Sequence, residues 1–198
     1  MNTSQLRVAL QVVNVSAFLR VIRERESGQD DLAYTVINGG QHFQVPPWQH
    51  PWPSGTPTTQ GGRAAGAYQF LPSTWKRLAD QYDFPDFSPE YQDLGAVALI
   101  AGRGALDDIV DGRFEQAVAK CRPEWTSLPG AAESSSSWTI AKARECYVGY
   151  GGTFATASAP VIPATPVSKP AGTAKEAARP VAPSGGTCLL YTSDAADE

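Results

Sequence analysis

No apolar stretch in this 198-residue chain approaches the roughly 18 residues that a membrane-spanning helix requires, so no membrane insertion is expected. Positive charge is also scarce. Lys and Arg number 16 against 20 Asp and Glu, a net charge of −4, which argues against the basic stripe of a nucleic-acid-binding surface. Cysteine is limited to Cys121, Cys146 and Cys188, an odd number with no CxxC spacing. Neither a disulfide framework nor a zinc site is indicated, and buried free thiols are expected ahead of a Cys121–Cys146 bridge. Neither His42 nor His50 is expected to be catalytic or to bind metal, and no cofactor is implied. The N-terminal apolar run is interrupted by Gln11, Asn14 and Ser16 and lacks a small-residue cleavage site. It is therefore expected to be mature protein rather than a secretion signal.

What is present divides the chain by composition. Residues 1–152 have the mixture of apolar, aromatic and charged residues that one packed domain needs. Residues 153–187 are built mainly of Ala, Pro, Ser, Thr and Val, and the repeated prolines exclude both helix and sheet ladders. An extended linker is expected there, with a further native module implied beyond it. The last residues, 188–198, read CLLYTSDAADE, resemble translated vector sequence and are set aside as a non-native tail.

Within the first part, apolar spacing predicts a helix over residues 15–27, one over Pro72–Tyr82 and one over Phe114–Cys121, with a last helix over roughly Ser137–Tyr147. Ser88-Pro89-Glu90 reads as the start of a helix that is almost wholly apolar after its first turn, and so central and buried. Between the first two helices, AYTVINGGQHFQ places strand formers around Asn38-Gly39-Gly40, the pattern of a β-hairpin. The expected fold class is α+β: mostly helical, with a small antiparallel β-hairpin beside the helical body.

Chemistry concentrates at RERESGQDD, Arg23 to Asp31. Val15, Phe18, Leu19 and Ile22 define one helical face, and Glu26 falls on it, whereas Glu24 projects nearly opposite. Glu26 also lies in the last turn before the Ser27-Gly28 stop. Partial burial and the negative end of the helix dipole both favour a protonated carboxyl, as a general acid requires. Periodicity alone leaves open that Glu26 is a frayed helix-end acid in a surface ion pair. Asp30 and Asp31 follow as weaker acids that cap the turn.

The chain resembles the phage lambda-type endolysins, peptidoglycan-cleaving enzymes of lysozyme-like fold. The resemblance is carried by FLRVIRERESG, YTVINGG, GAYQFLPSTW, DFSPEYQDLGAVAL, RGAL and AVAKCRPEWTSLPGA, in order and approximate spacing from Phe18 to about Thr153. It implies that Glu26 is the catalytic acid, and that the hairpin flanks the active-site cleft. GAYQFLPSTW is similar to a segment that lines the sugar-binding cleft of lytic transglycosylases. Tyr68, Gln69, Tyr34 and Ser27 are accordingly the candidate substrate-binding residues. Tyr68 offers a flat face for a pyranose, and the Gln69 amide suits hydroxyl or acetamido groups. Phe70 and Trp75 read as core, and Glu90, Asp93 and Asp111 as caps or charge partners. The loop carrying Trp48, His50 and Trp52 reads equally as a substrate lid or as a proline-pinned surface loop. The chain departs from the family pattern after SLPGA, where Ala132-Glu133 and four serines replace a Gly/Tyr/Gln-rich segment, and at Thr35, where an acid is common.

An ordinary glycosidase needs two carboxylates, and one strong candidate is present. The resemblance implies single-acid chemistry: cleavage of the bond between N-acetylmuramic acid and N-acetylglucosamine with formation of a 1,6-anhydromuramoyl end. Alternatives are a hydrolytic muramidase, with Asp30 or Asp31 as base, and a non-catalytic wall-binding or virion tail module. The implied partner is the peptidoglycan glycan strand, acted on by a monomer. That monomer would accumulate in the host cytoplasm and reach the wall through a holin-made hole.

Overall fold

A computed structural model describes residues 1–37, 40–53, 55, 62–132 and 134–156, and Met1–Ala155 form one compact unit. The chain begins with α1 (Thr3–Leu10), whose Asn2 cap accepts from the Gln5 N–H while the Gln5 side chain accepts from the Asn2 N–H. It bends by 88° into α2 (Val13–Glu26). Among the described residues no single helix is long and apolar enough to cross a membrane. A 3₁₀ helix (Asp31–Thr35) leads to β1 (Val36–Ile37) and β2 (Gln41–His42), paired antiparallel with Val36 opposite His42. Then come α3 (Pro72–Tyr82), α4 (Pro89–Gly102), α5 (Leu106–Val110), α6 (Phe114–Cys121) and α7 (Ile140–Gly149). The expected α+β class holds: among the described residues there are seven α-helices and one two-stranded sheet.

The apolar face expected on α2 is buried in full: Val15, Phe18, Leu19 and Ile22 are at most 3 % exposed. α2 meets α1, α4, α5 and α7, which makes it the hub of the helical body. In α4, Leu94 to Ile100 are buried without interruption, as its composition implies. Gly95 lies where a Cβ would stand 3.1–3.2 Å from Trp75 and Phe70, so a glycine there lets the aromatic cluster close on the helix. Trp75 packs edge-on to Phe87 at 4.6 Å between ring centroids, and Phe84 stacks on it at 5.8 Å. Cys121 and Cys146 are buried free thiols; burial pushes the Cys121 thiol up to about 12. Cys188 lies outside the described residues.

The structure corrects several sequence expectations. The hairpin is shorter than its strand formers suggest, because Tyr34 is taken into the 3₁₀ helix that Asp30 caps through its bond from the Ala33 N–H. Ser88 stands at the cap position of α4, yet its side chain makes no cap bond; its own N–H is held by Asp86 Oδ1 at 2.9 Å. The last helix starts later, at Ile140, since the Thr139 hydroxyl accepts from the Lys142 N–H. The packed body also runs past Gly152. Phe154 sits on Phe114 and Tyr147, and the Ala155 N–H bonds Gly112 O at 3.0 Å. Most of the expected linker and all of the tail lie outside the described residues.

The sheet is stitched to the segment before α3. Ala65 bridges to Ile37 on one side and Phe70 on the other, and the Gly66 N–H donates to Val36 O at 2.7 Å. Gly66 has φ +78°, and a Cβ there would stand 2.1 Å from Gln92 Oε1 and 2.9 Å from Phe87. Gln92 is fully buried: its Oε1 accepts from the Ala67 N–H, and its amide donates to Tyr34 O and Phe87 O. Gly66→Ala is therefore expected to cost about 2–4 kcal/mol in urea denaturation, combining backbone strain with loss of the Gln92 bonds. Gly104→Ala, at φ +65° with open space around it, is the control and should cost only about 1–2 kcal/mol. Equal losses would contradict the close approach at Gly66.

Candidate active site

The end of α2 is built to hold a carboxylate at the rim of a cleft. The Ser27 and Gly28 N–H groups both donate to Arg23 O, at 3.1 and 2.9 Å, and Gly28 turns the chain away at φ +98°. Glu26 is thus the last helical residue, half-buried. It lines a cleft of ≈ 450 Å³ together with Ser27, Asp30, Val36, His42 and Gln69. Its Oε1 accepts a hydrogen bond from the Ser127 hydroxyl at 2.5 Å, from a residue 101 positions away in sequence.

Two other acids line the cleft, and each accepts a hydrogen bond of its own. Asp30 lines the cleft but caps the 3₁₀ helix with its Oδ1. Glu24 also borders the cleft and accepts from the Tyr150 hydroxyl at 2.5 Å. Glu90 pairs with Arg7, and Asp111 with Arg113, as charge partners. Among the described residues no three His, Cys, Asp or Glu side chains converge as a metal site would require.

Of the four candidate substrate-binding residues, two line the cleft and two stand behind it. Gln69 is in the cleft wall in a left-handed conformation, φ +50°, with its amide nitrogen donating to Gly66 O (2.9 Å) and Val36 O (3.3 Å). Its donors are thereby spent on backbone, and its amide oxygen is what remains to offer a ligand. Ser27 lines the cleft too, with its hydroxyl donating to Ala67 O at 2.8 Å. Tyr68, expected to present a ring to sugar, is instead 2 % exposed, edge-on to Phe70. Burial of the GAYQF turn against α4 takes the ring inward, and its hydroxyl donates to Asp93 Oδ1 at 2.6 Å.

Tyr34 shares that carboxylate. Its hydroxyl donates to Asp93 at 3.0 Å and accepts from Arg23 Nη1 at 3.0 Å. The Arg23 guanidinium lies 4.7 Å from the Tyr34 ring centroid and also donates to Gly28 O and Asp30 O. One network therefore runs beneath the cleft from the end of α2 through the 3₁₀ helix to α4. Burial is the chief cause raising the Asp93 carboxyl above its ordinary range, opposed by the two tyrosine hydroxyls and Arg23. Burial beside Asp93 likewise pushes both tyrosines up.

The loop with Trp48, His50 and Trp52 is pinned rather than projecting. His50 Nε2 lies 2.8 Å from Phe70 O, and its Nδ1 lies 3.1 Å from Trp52 O and 3.3 Å from the Trp52 N–H, so both ring nitrogens are held by backbone. Burial is the chief cause lowering the His50 pKa, opposed by its backbone bonds to Phe70 and Trp52.

Sequence reasoning missed Ser127, Arg23, Asp93 and His42 as parts of this site. Ser127 sits inside the SLPGA anchor, but no periodicity relates it to α2. Asp93 reads as a cap or charge partner, and nothing local marks Arg23 as buried.

The endolysin family model matches residues 16–154. The endolysin of Escherichia phage P2 is 35 % identical over 144 residues, covering 65 % of this chain and 87 % of that protein. The endolysin of Escherichia phage lambda is 41 % identical over 85 residues, 41 % of this chain and 54 % of that protein. Among solved structures, bacteriophage lambda lysozyme complexed with a chitohexasaccharide superposes with a TM-score of 0.62 at 31 % identity, covering 72 % of this chain and 96 % of that one.

The Asp93 network has a signed pH consequence. A carboxyl raised on folding binds protons more tightly in the native state, so its stabilising contribution is present below about pH 4 and is lost as pH rises through the folded value. The Asp93→Asn variant should therefore lose less stability than wild type between about pH 4 and pH 7 in urea titrations. Parallel curves for the two proteins would contradict the burial of a titrating Asp93.

Proposed function

This chain belongs to the endolysin family of peptidoglycan-degrading enzymes, and we propose that it acts as a lytic transglycosylase with Glu26 as its single acid and base. What supports this reading is one observation. Glu26 stands in the cleft with a hydroxyl donor on one oxygen, while Glu24 and Asp30 are committed to Tyr150 and to the 3₁₀ cap. A hydrolase of the two-carboxylate kind needs a second acid across the scissile bond.

In the proposed reaction the Glu26 carboxylic acid gives its proton to the glycosidic oxygen between N-acetylmuramic acid and N-acetylglucosamine. The C1–O bond breaks and positive charge develops at the muramoyl anomeric carbon. The muramoyl C6 hydroxyl then closes on that carbon and returns its proton to the Glu26 carboxylate. Atoms balance without water: one glycosidic bond is lost, one 1,6-anhydro bond forms, and the enzyme regains its proton. Ser27 and Gln69 serve as polar contacts in the cleft wall, while Tyr34 and Tyr68 hold its floor through Asp93. The lambda lysozyme complexed with a chitohexasaccharide supports a glycan as the ligand.

The same reading places the enzyme's action at the host cell wall, reached from the cytoplasm after a holin opens the membrane. Residues after Ala155 suit a linker on composition alone.

Glu26→Gln should lower the rate of peptidoglycan turbidity clearing by about 10²- to 10⁴-fold. Mass spectrometry of wild-type digests should find muropeptides with 1,6-anhydro ends. Fragments of ordinary hydrolysed mass would replace this reading with a muramidase, and full activity of Glu26→Gln would replace it with a non-catalytic wall-binding module.

A further inference from the structure

His42 is a cleft residue with no part in the proton transfer from Glu26. It stands on β2 directly opposite Val36 on β1, so the pairing puts both side chains on one face of the sheet. Both line the cleft that holds Glu26. The ring is exposed, yet it is held. Its Nδ1 lies 2.9 Å from Thr35 Oγ1, which also lies 2.9 Å from Leu32 O. Thr35 is 6 % exposed and ends the 3₁₀ helix, so the imidazole is anchored to a buried group rather than swinging from the hairpin. Leu32, 59 % exposed, and the half-buried Val36 and Ile37 add apolar surface to the same cleft.

We propose that His42 is a substrate-binding residue that recognises a methyl-bearing secondary amide on the glycan strand, with Thr35 as its positioning residue. The proposal rests on this cleft being the glycan site. Whichever partner supplies the hydrogen between Nδ1 and Thr35 Oγ1, Nε2 is the ring nitrogen left for a ligand. Among the described residues Nε2 has no hydrogen-bond partner. In one neutral tautomer Nε2 accepts, and in the other it donates. A secondary amide offers both an N–H and a C=O, so it satisfies either form. A methyl group beside that amide finds cover on Leu32, Val36 and Ile37. A carboxylate ligand is disfavoured, because Glu24, Glu26 and Asp30 line the cleft against one arginine, Arg25. Peptidoglycan carries the matching chemistry in two places: the acetamido group of each sugar, and the lactyl-alanyl junction where the stem peptide joins the muramoyl ring.

The test measures kcat and KM of wild type, His42→Ala, His42→Gln and Thr35→Val, with thermal melts of each. Two substrates are compared: intact peptidoglycan, and glycan strands stripped of stem peptides by an amidase. Loss of one neutral hydrogen bond, made equally in ground and transition states, predicts a kcat/KM about 3- to 10-fold lower in His42→Ala. That loss should be carried by KM, with kcat little changed. His42→Gln keeps a side-chain donor and acceptor and should recover part of it. Thr35→Val leaves the ring but frees it, and should raise KM by less than His42→Ala does. A loss on intact peptidoglycan alone assigns the amide to the stem peptide. An equal loss on both substrates assigns it to an acetamido group, and chitohexasaccharide should then bind His42→Ala more weakly in calorimetry. An unchanged KM on both substrates in His42→Ala overturns the proposal. So does a fall in kcat at constant KM, which would put His42 in the proton chemistry instead. Full activity in Glu26→Gln would overturn the role of Glu26 alone, because the KM shift at His42 does not depend on which group gives the proton.

Discussion

One turn before Glu26, the same helix buries a guanidinium, and much of the site's geometry follows from satisfying it. Arg23 is 8 % exposed, and a desolvated charge is tolerated only with good partners. It finds the Tyr34 ring, the Tyr34 hydroxyl and the carbonyls of Gly28 and Asp30. Those bonds fold the chain after α2 back against the helix. They also set Tyr34 against Asp93, which draws in Tyr68 from the opposite segment. Removing one partner of such a buried set typically costs about 3–5 kcal/mol, because the charge left behind has no substitute. The network therefore binds the helix end, the 3₁₀ helix and α4 into one rigid floor.

A second buried side chain does the same for the cleft wall. Gln92 reaches three backbone groups from different segments, at Ala67, Tyr34 and Phe87. Its oxygen occupies the space that any side chain at position 66 would need. Gln69 can adopt its left-handed backbone because the flanking turn is over-determined by these bonds. Precision at the carboxylate thus comes from buried amide and phenol groups rather than from the exposed ion pairs on the helix surfaces, which contribute little.

The carboxylate itself joins two remote parts of the chain. From one side α2 delivers Glu26 at its C-terminal turn; from the other, the segment after α6 delivers Ser127 between Trp125 and Leu128. Trp125 also bonds Tyr68 O, so both sides refer to the same buried turn. A cleft assembled this way has its polar groups fixed before a ligand arrives, which is what efficient proton transfer requires.

Local patterns were legible in the sequence because they depend on neighbours along the chain. The helical phase of Val15, Phe18, Leu19 and Ile22 places Glu26 on the inward face, and the Ser27-Gly28 stop ends the helix there. Pro72, Pro89 and the apolar run of α4 mark helices at the positions observed. Where the reading failed, the deciding contact was distant. Tyr68 looks like an exposed stacking ring until α4 covers it, and Phe154 looks like linker until Phe114 and Tyr147 receive it. Arg23 and Asp93 escape a local reading because nothing adjacent in sequence says that the Tyr34 hydroxyl lies between them. Periodicity and stop signals are short-range, so the residues alone yield five of the seven described α-helices, the candidate acid and its place at a helix end, while α1 and α5 went unread. Which groups touch that acid depends on packing, because Ser127 meets it across 101 residues, and no local rule carries that distance.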